Sequence, residues 1–569
     1  MFSFLPKSAL SILDWTWAQY EPYFQDLIDR PIDATNVELW LADWSRIYHL
    51  ANEVRVRLNI ANMQNTADPT AEAKYRSYLE DIEPHLMRAT QTLKKKLLAS
   101  RLEVENFGIQ LRNMQTEAKL FREENLPLLA REQKLSGEYD KIAGSLTVDW
   151  EGKVLTLPQL VPVYQDFDRA KRARAWRLSM GSWLSQRAAV NTLWKQFMNV
   201  RRRLAANAGC ADYIEYRWAQ MLRFDYTPDD CQQFHQSIED VIVPAAARIR
   251  EKRRKQLGVD TLRPWDLDVD PLGRPPLKPF NTIAELTEKV EHIFRRLDPT
   301  LGEYFSIMRR EDLLDLDNRP DKAPGGGCID LAVAARPFIF MNAVGTPEDV
   351  QVLVHESGHA FHVFESIRLP YAQQRQYTAE IAELAAMSME FLTAPYFSAD
   401  DAAQSIYSPK DAARAWITIL EYRLLSWPSI AMVDAFQHWV YRNHAAAEDP
   451  ANCDAKWGEL WDRYMVGIDF SGLEQEKVTG WHHKPHIHRT PLYYIDYGLA
   501  LLGAVQLWAN AQKAPAQTLA NYRQALALGA TKTLPELFAA AGVEFTFDAK
   551  ALSAAVTLME DTINALEEV

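Results

Sequence analysis

Apolar and polar positions along this chain recur mostly every three to four residues, the period of amphipathic helices. Residues 89 to about 133 keep that period with no proline between Arg88 and Asn125, which predicts long helices that break near Gly137 and Gly144. The period then changes to two. Residues 146–157 alternate around Glu151-Gly152 and predict a β-hairpin. Helical spacing returns over 158–207, and again from 227 to about 256, where Thr227 and Pro228 suit a cap and a first turn. Residues 257–280 hold five prolines and two glycines and predict a long connection. Gly325-Gly326-Gly327 predicts a further loop, a candidate mobile flap, and residues 336–342 a short apolar strand. Pro337 has no N–H to give a ladder, so this strand is expected at a sheet edge, not its centre. No solenoid period or low-complexity tract occurs. The expected fold is mainly α, with a small β-sheet and a β-hairpin. The expected division is an N-terminal helical domain over 1–180 and a larger domain over 181–569.

Composition narrows the function classes. Hydrophobic residues make up 47% and charged residues 24%, which suits a globular chain with a large core. A net charge of −13 disfavours nucleic acid as a partner. The basic run from Arg250 to Lys255 fits the solvated face of a helix. Cys210, Cys231, Cys328 and Cys453 are far apart and include no C-x-x-C pair, which points to a reducing compartment, the cytoplasm, and away from a disulfide framework. No basic-then-apolar leader is evident at the start, and no run of 18 apolar residues predicts a membrane span.

The candidate chemistry centres on His355-Glu356-Ser357-Gly358-His359, an H-E-x-x-H motif. Thr346-Pro347-Glu348-Asp349 is a strong helix start, with a capping hydroxyl, proline in the first turn and acids at the positive dipole end. Apolar residues continue the helix to Pro370, so the motif lies mid-helix, near 347–367. Residues four apart project from one face, so both imidazoles can reach one zinc ion. Glu356 is turned by about one hundred degrees and is placed to act as general base toward a water on that ion.

The third ligand decides the class. A metzincin needs Gly at 361 and His at 365, and this chain has Phe361 and Glu365. His362 rises about 10.5 Å from His355 along a helix, too far for one ion to bind both, so it is assigned to the surroundings of the site. Residues 377–391 predict a second helix, ended by Pro395, that packs beside the first. Its Glu383 and Glu390 share a face but are also about 10.5 Å apart. One of them is expected to ligate and the other to orient a ligand histidine.

The extended pattern His355-Glu356-Ser357-Gly358-His359-Ala360-Phe361-His362 matches H-E-x-G-H-x-x-H, and the chain thereby resembles the thimet oligopeptidase and oligoendopeptidase F family of zinc metallopeptidases. It is most similar to the oligoendopeptidase F branch, through Val148-Asp149-Trp150-Glu151-Gly152, Asp225-Tyr226-Thr227, Trp265-Asp266 and the stretch from Arg336 to Asn342. The resemblance implies a clam-like helical shell around a deep channel that admits short unfolded peptides. It implies one zinc ion held by His355, His359 and Glu383, with Glu390 as the orienting carboxylate. It also implies that a His and following Tyr residues stabilise the oxyanion. His486, Tyr494 and Tyr497 are chosen for that role, with His488 and Tyr493 in reserve. Four histidines between 482 and 488 could instead form an accessory metal or polar patch. By analogy, the strand with Phe338, Phe340 and Asn342 would pair with substrate backbone. Cys328 is expected to be a buried, inert thiol. The expected activity is zinc-dependent endopeptidase action on oligopeptides. A zinc exopeptidase and a non-catalytic peptide-binding protein are the alternatives, and the oligomeric state is left open.

Overall fold

The computed structural model describes residues 2–399, 401 and 404–568. Helices dominate, and the described strands form one two-stranded and one three-stranded sheet. The hairpin falls where the alternation placed it: Thr147–Trp150 pairs antiparallel with Lys153–Thr156. Glu151 and Gly152 both take positive φ, the mirror-image turn whose twist matches a two-residue hairpin.

The long helical stretch near 89–133 is more broken than its period suggests. It becomes Glu83–Ser100, Gly108–Leu120 and Leu126–Gly144. Arg101 and Asn106 sit in the left-handed region and turn the chain there, although neither is a glycine or proline. Gly137 lies inside a helix and does not break it. The predicted helix from Thr227 does form, with the Thr227 hydroxyl accepting from the Asp230 N–H, but in two parts, Pro228–Ser237 and Val243–Leu257. The wide turn Ile238–Ile242 between them accommodates Pro244, which has no N–H and whose ring would collide with a carbonyl one turn back.

Two main cores form. One gathers apolar side chains from the first 114 residues, including Trp40, Trp44 and Leu93, together with Tyr371. The other is much larger and runs from Val56 to Ile563. The helix Val37–Gln64 contributes to both, through Leu58 to the first and Val56 and Ile60 to the second.

The three-stranded sheet corrects an expectation. The strand Arg336–Ala343 is central, not at the edge: it pairs parallel with Leu314–Asp317 and antiparallel with Gly327–Leu331. Pro337 is tolerated because the parallel partner joins only from Ile339 onward, so the proline lies before the doubly paired stretch. Gly327–Leu331 covers one side from Arg336 to Phe340 and Leu314–Asp317 the other from Ile339 to Ala343, so neither side is open along its whole length to a peptide. Phe338 and Phe340 are buried, and Asn342 is spent on the Ala323 and Gly325 carbonyls, so the backbone-pairing role expected of these three residues is withdrawn. Gly327–Leu331 is the edge strand on that side.

Candidate metal centre

The motif helix is Pro347–Ser366. Asp349 fixes its start by accepting the backbone N–H groups of Val344, Gly345 and Thr346 at 2.7–2.9 Å. The second helix is Ala379–Thr393, and its thirteen buried residues include Glu380, Glu383 and Glu390. The two helices pack antiparallel: His355 meets Glu390, while Gly358 meets Ala385 and Ala386 further back along the second helix.

Gly358 sets their separation. A Cβ there would lie 2.5 Å from the Ala385 carbonyl oxygen and 2.6 Å from Ala386 Cα, both backbone atoms that cannot step aside. Gly358→Ala is therefore expected to destabilise the protein by about 1–3 kcal/mol, as overpacking of a filled core does. It should also weaken metal binding, because spreading the helices moves Glu383 away from the histidines. Thermal melts and a metal titration check both effects, and unchanged affinity with a lowered Tm would separate the packing role from the site.

That close crossing brings together one donor atom each from His355, His359 and Glu383, all within 4.8 Å of one another. His355 Nε2 lies 3.6 Å from Glu383 Oε2, and this carboxylate oxygen is buried with no hydrogen-bond partner among the described residues. An orphaned carboxylate oxygen facing two imidazoles is costly unless a cation joins them. On its other side, His355 Nδ1 is 2.7 Å from Glu390 Oε1. Glu390 is in turn gripped by Arg423, from the long helix Pro409–Arg442, with Nε at 2.8 Å and the second guanidinium nitrogen also bonded. Arg423 was not foreseen. Its only signal in the sequence is a charge, with Glu421 two residues before it, in the otherwise largely apolar stretch from Trp416 to Leu425.

The electrostatics ask for positive charge. Burial works against a protonated His355, but the Glu390 hydrogen bond and the charges of Glu390, Glu383 and Glu356 prevail and raise its pKa. Burial raises Glu356, and the neighbouring Glu383 adds to the rise. Burial likewise raises Glu383. Glu390 moves the other way: burial opposes ionisation, yet Arg423 and His355 hold it as the anion. Burial, with His355 and His362 nearby, drives His359 well below its ordinary value, so it stays neutral with a lone pair to offer. Two imidazoles and one carboxylate with these tendencies fit a divalent ion of the zinc type.

Around this centre, Glu356 has the Cys328 backbone amide of the edge strand beside its carboxylate. Cys328 is half-buried, and burial with the nearby Glu356 charge pushes its thiol pKa well up. His362 does not face the donor cluster: its ring stacks on Tyr377 with centroids 3.5 Å apart. A third helix, Tyr494–Ala511, packs against the second. Tyr493, just before it, donates to Glu383 Oε1 at 3.2 Å. The Tyr497 hydroxyl lies 3.4 Å from His486 Nε2, and both Glu383 and Glu356 act on its charge. Tyr494 packs edge-on against the His486 ring, and its hydroxyl senses Tyr422 rather than the site acids. His486 is held on its short turn by buried Arg201, which donates to the Ile487 and His488 carbonyls. His488 turns inward and stacks on Tyr139, and His482 bonds Asn191. Among the described residues these histidines form no metal-holding group of their own.

The sequence model of peptidase family M3 matches residues 163–557. Among curated proteins, oligopeptidase PepF of Bacillus subtilis (strain 168) is 23% identical over 341 residues, which is 57% of this chain and 47% of that protein. The match thus spans about half the length of this curated relative. Among solved structures, PZ peptidase A with an inhibitor is 27% identical at a TM-score of 0.87, with 99% of each chain covered. A structure provisionally assigned as an oligoendopeptidase F is 27% identical at 0.88, covering 100% of this chain and 99% of that one. Oligoendopeptidase-F from Enterococcus faecium shares the fold at 16% identity and a TM-score of 0.63, with 97% of each chain covered.

Proposed function

This chain belongs to peptidase family M3, and on that footing we propose that it is a zinc-dependent endopeptidase that cuts internal bonds of short unstructured peptides. The observation that carries the reading is the convergence of His355, His359 and Glu383, with an orphaned carboxylate oxygen between them. His355, His359 and Glu383 would hold the zinc ion, which would supply Lewis acidity to the water and to the scissile carbonyl.

The chain's own groups would do the rest. Glu356, whose pKa burial raises, would take the proton from the attacking water and return it to the leaving amine. Tyr497 and His486 donate to the oxygen that gains charge. Burial keeps the Tyr497 hydroxyl protonated and lowers His486 to about 4, so the imidazole is neutral and retains one N–H to give. Tyr494 braces the His486 ring, and Tyr493 holds Glu383 in place. The edge strand Gly327–Leu331 would take the peptide as an added strand, an arrangement that would give sequence-tolerant affinity. Among the described residues no helix is long and apolar enough to cross a membrane, and all four cysteines are free. With a reducing compartment implied, we place the protein in the cytoplasm.

The test uses a peptide pool blocked at both ends beside the same pool with free ends, read by mass spectrometry. Internal cleavage of the blocked pool is expected, abolished by a chelator and restored by added Zn2+. Trimming of free ends alone would replace this reading with an exopeptidase. Metal binding with no hydrolysis of either pool would leave a peptide-binding protein.

A further inference from the structure

A second group of donors lies outside this centre, at the crossing of Pro228–Ser237 with the long helix Pro409–Arg442. Each helix contributes two residues four apart, Cys231 with His235 and Asp434 with His438, so each pair projects from one face. We propose that Cys231, Asp434 and His438 form a second, structural metal site for zinc or a similar divalent ion.

The geometry carries the assignment. The Cys231, Asp434 and His438 donor atoms all lie within 4.8 Å of one another, and all three residues are buried. His438 Nε2 is 3.3 Å from Asp434 Oδ2, yet neither ring nitrogen of His438 makes a hydrogen bond among the described residues. Asp434 Oδ1 is likewise without a partner, in a residue of zero exposure. A separation of 3.3 Å also matches two ligands of one tetrahedral ion, since bonds of about 2.0–2.1 Å place such donors ~3.4 Å apart. The catalytic cluster likewise holds close donors and an orphaned carboxylate oxygen; there the orphan, Glu383 Oε2, is the oxygen nearest the histidine, whereas here it is Asp434 Oδ1, beside the Oδ2 that His235 and His438 approach. His235 Nε2, 2.8 Å from Asp434 Oδ2, holds the carboxylate in orientation, as a hydrogen-bonded neighbour does for a ligand.

Charge balance agrees. The two guanidiniums that act on this cluster are committed elsewhere: Arg223 to Asp496 and Glu380, and Arg463 to Glu239. A divalent ion with a thiolate and a carboxylate sums to zero, which suits a dry interior, and binding releases the thiol proton to solvent. The soft thiolate favours zinc over magnesium or calcium. The ion would tie the two helices together behind the tyrosine helix. Phe234, between Cys231 and His235, already packs against that helix at Gly498, where an added Cβ would lie 3.0 Å from its ring.

The test is the protein produced in cobalt-supplemented medium, with elemental analysis and near-ultraviolet absorption. Two cobalt ions per chain are expected, with a thiolate-to-cobalt charge-transfer band that the catalytic centre cannot generate from two imidazoles and a carboxylate. Cys231→Ser should lose one equivalent and the band, melt at lower temperature and still cleave peptides. His359→Gln should lose the other equivalent and keep the band. Should Cys231→Ser not fold, His438→Gln is read in its place and should lose one equivalent with a weakened or absent band. A wild-type protein with no band, or a band that survives Cys231→Ser, overturns the proposal and leaves the cluster as an Asp–His ion pair only.

Discussion

Glu356→Gln is expected to lower kcat for peptide cleavage by about 10²–10⁴-fold, the range attributed to a positioned general base, with metal content unchanged. The amide keeps the shape of the side chain and its place on the motif helix, beside the Cys328 amide. It removes the negative charge and the ability to accept a proton. Glu356 is not one of the three clustered donors, so the ion should be retained. KM should change little, because a proton relay acts in the transition state and contributes little to ground-state binding. The measurement is kcat and KM on a blocked fluorogenic peptide, beside metal content for both proteins. Turnover near the wild-type rate would remove Glu356 from the mechanism, and a parallel loss of metal would recast it as a structural acid.

The helix that carries Glu356 was legible because its signals are local. Thr346, Pro347 and Asp349 mark its start within four residues, and the i, i+4 histidines need only helical geometry to share a face. Gly358 was legible only as part of a pattern. Its physical reason, the backbone of Ala385 and Ala386 against it, belongs to a pairing of helices that no local window contains. The same limit explains the misplaced strand. Pro337 correctly signals a missing ladder bond, but whether that falls at an edge or before the doubly paired stretch depends on where a parallel partner 20 or so residues upstream begins. The breaks at Arg101 and Asn106 were hidden because non-glycine residues adopted the left-handed region. Arg423 and the Cys231–His438 cluster were hidden for another reason. Each lies far in sequence from the groups it meets, and a charge or a single thiol in a helix announces nothing until its partners are placed.

Glu383 and Glu390 are seven residues apart on one helix, and their environments predict opposite consequences of removing them. Glu383→Ala is expected to yield protein with one metal equivalent fewer than wild type, because it deletes a donor and leaves two imidazoles that cannot close the site. Glu390→Ala should keep the ion with about 10–100-fold weaker affinity, the usual cost of removing a ligand's orienting partner. The difference follows from geometry. Glu383 Oε2 faces the histidines with no hydrogen-bond partner among the described residues, whereas both Glu390 oxygens are taken, one by His355 Nδ1 and one by Arg423. Glu390 therefore acts through His355, fixing which ring nitrogen carries the proton and leaving Nε2 free to ligate. Removing it also strands the partly buried guanidinium of Arg423, so Glu390→Ala should lower Tm, and Glu390→Gln should recover part of the affinity by keeping one hydrogen bond to the ring. Competition with a chromogenic chelator gives the affinities, and elemental analysis the stoichiometry. If Glu390→Ala lost the ion while Glu383→Ala kept it, the two carboxylates would exchange roles and the crossing at Gly358 would have to bring a different pair of turns together.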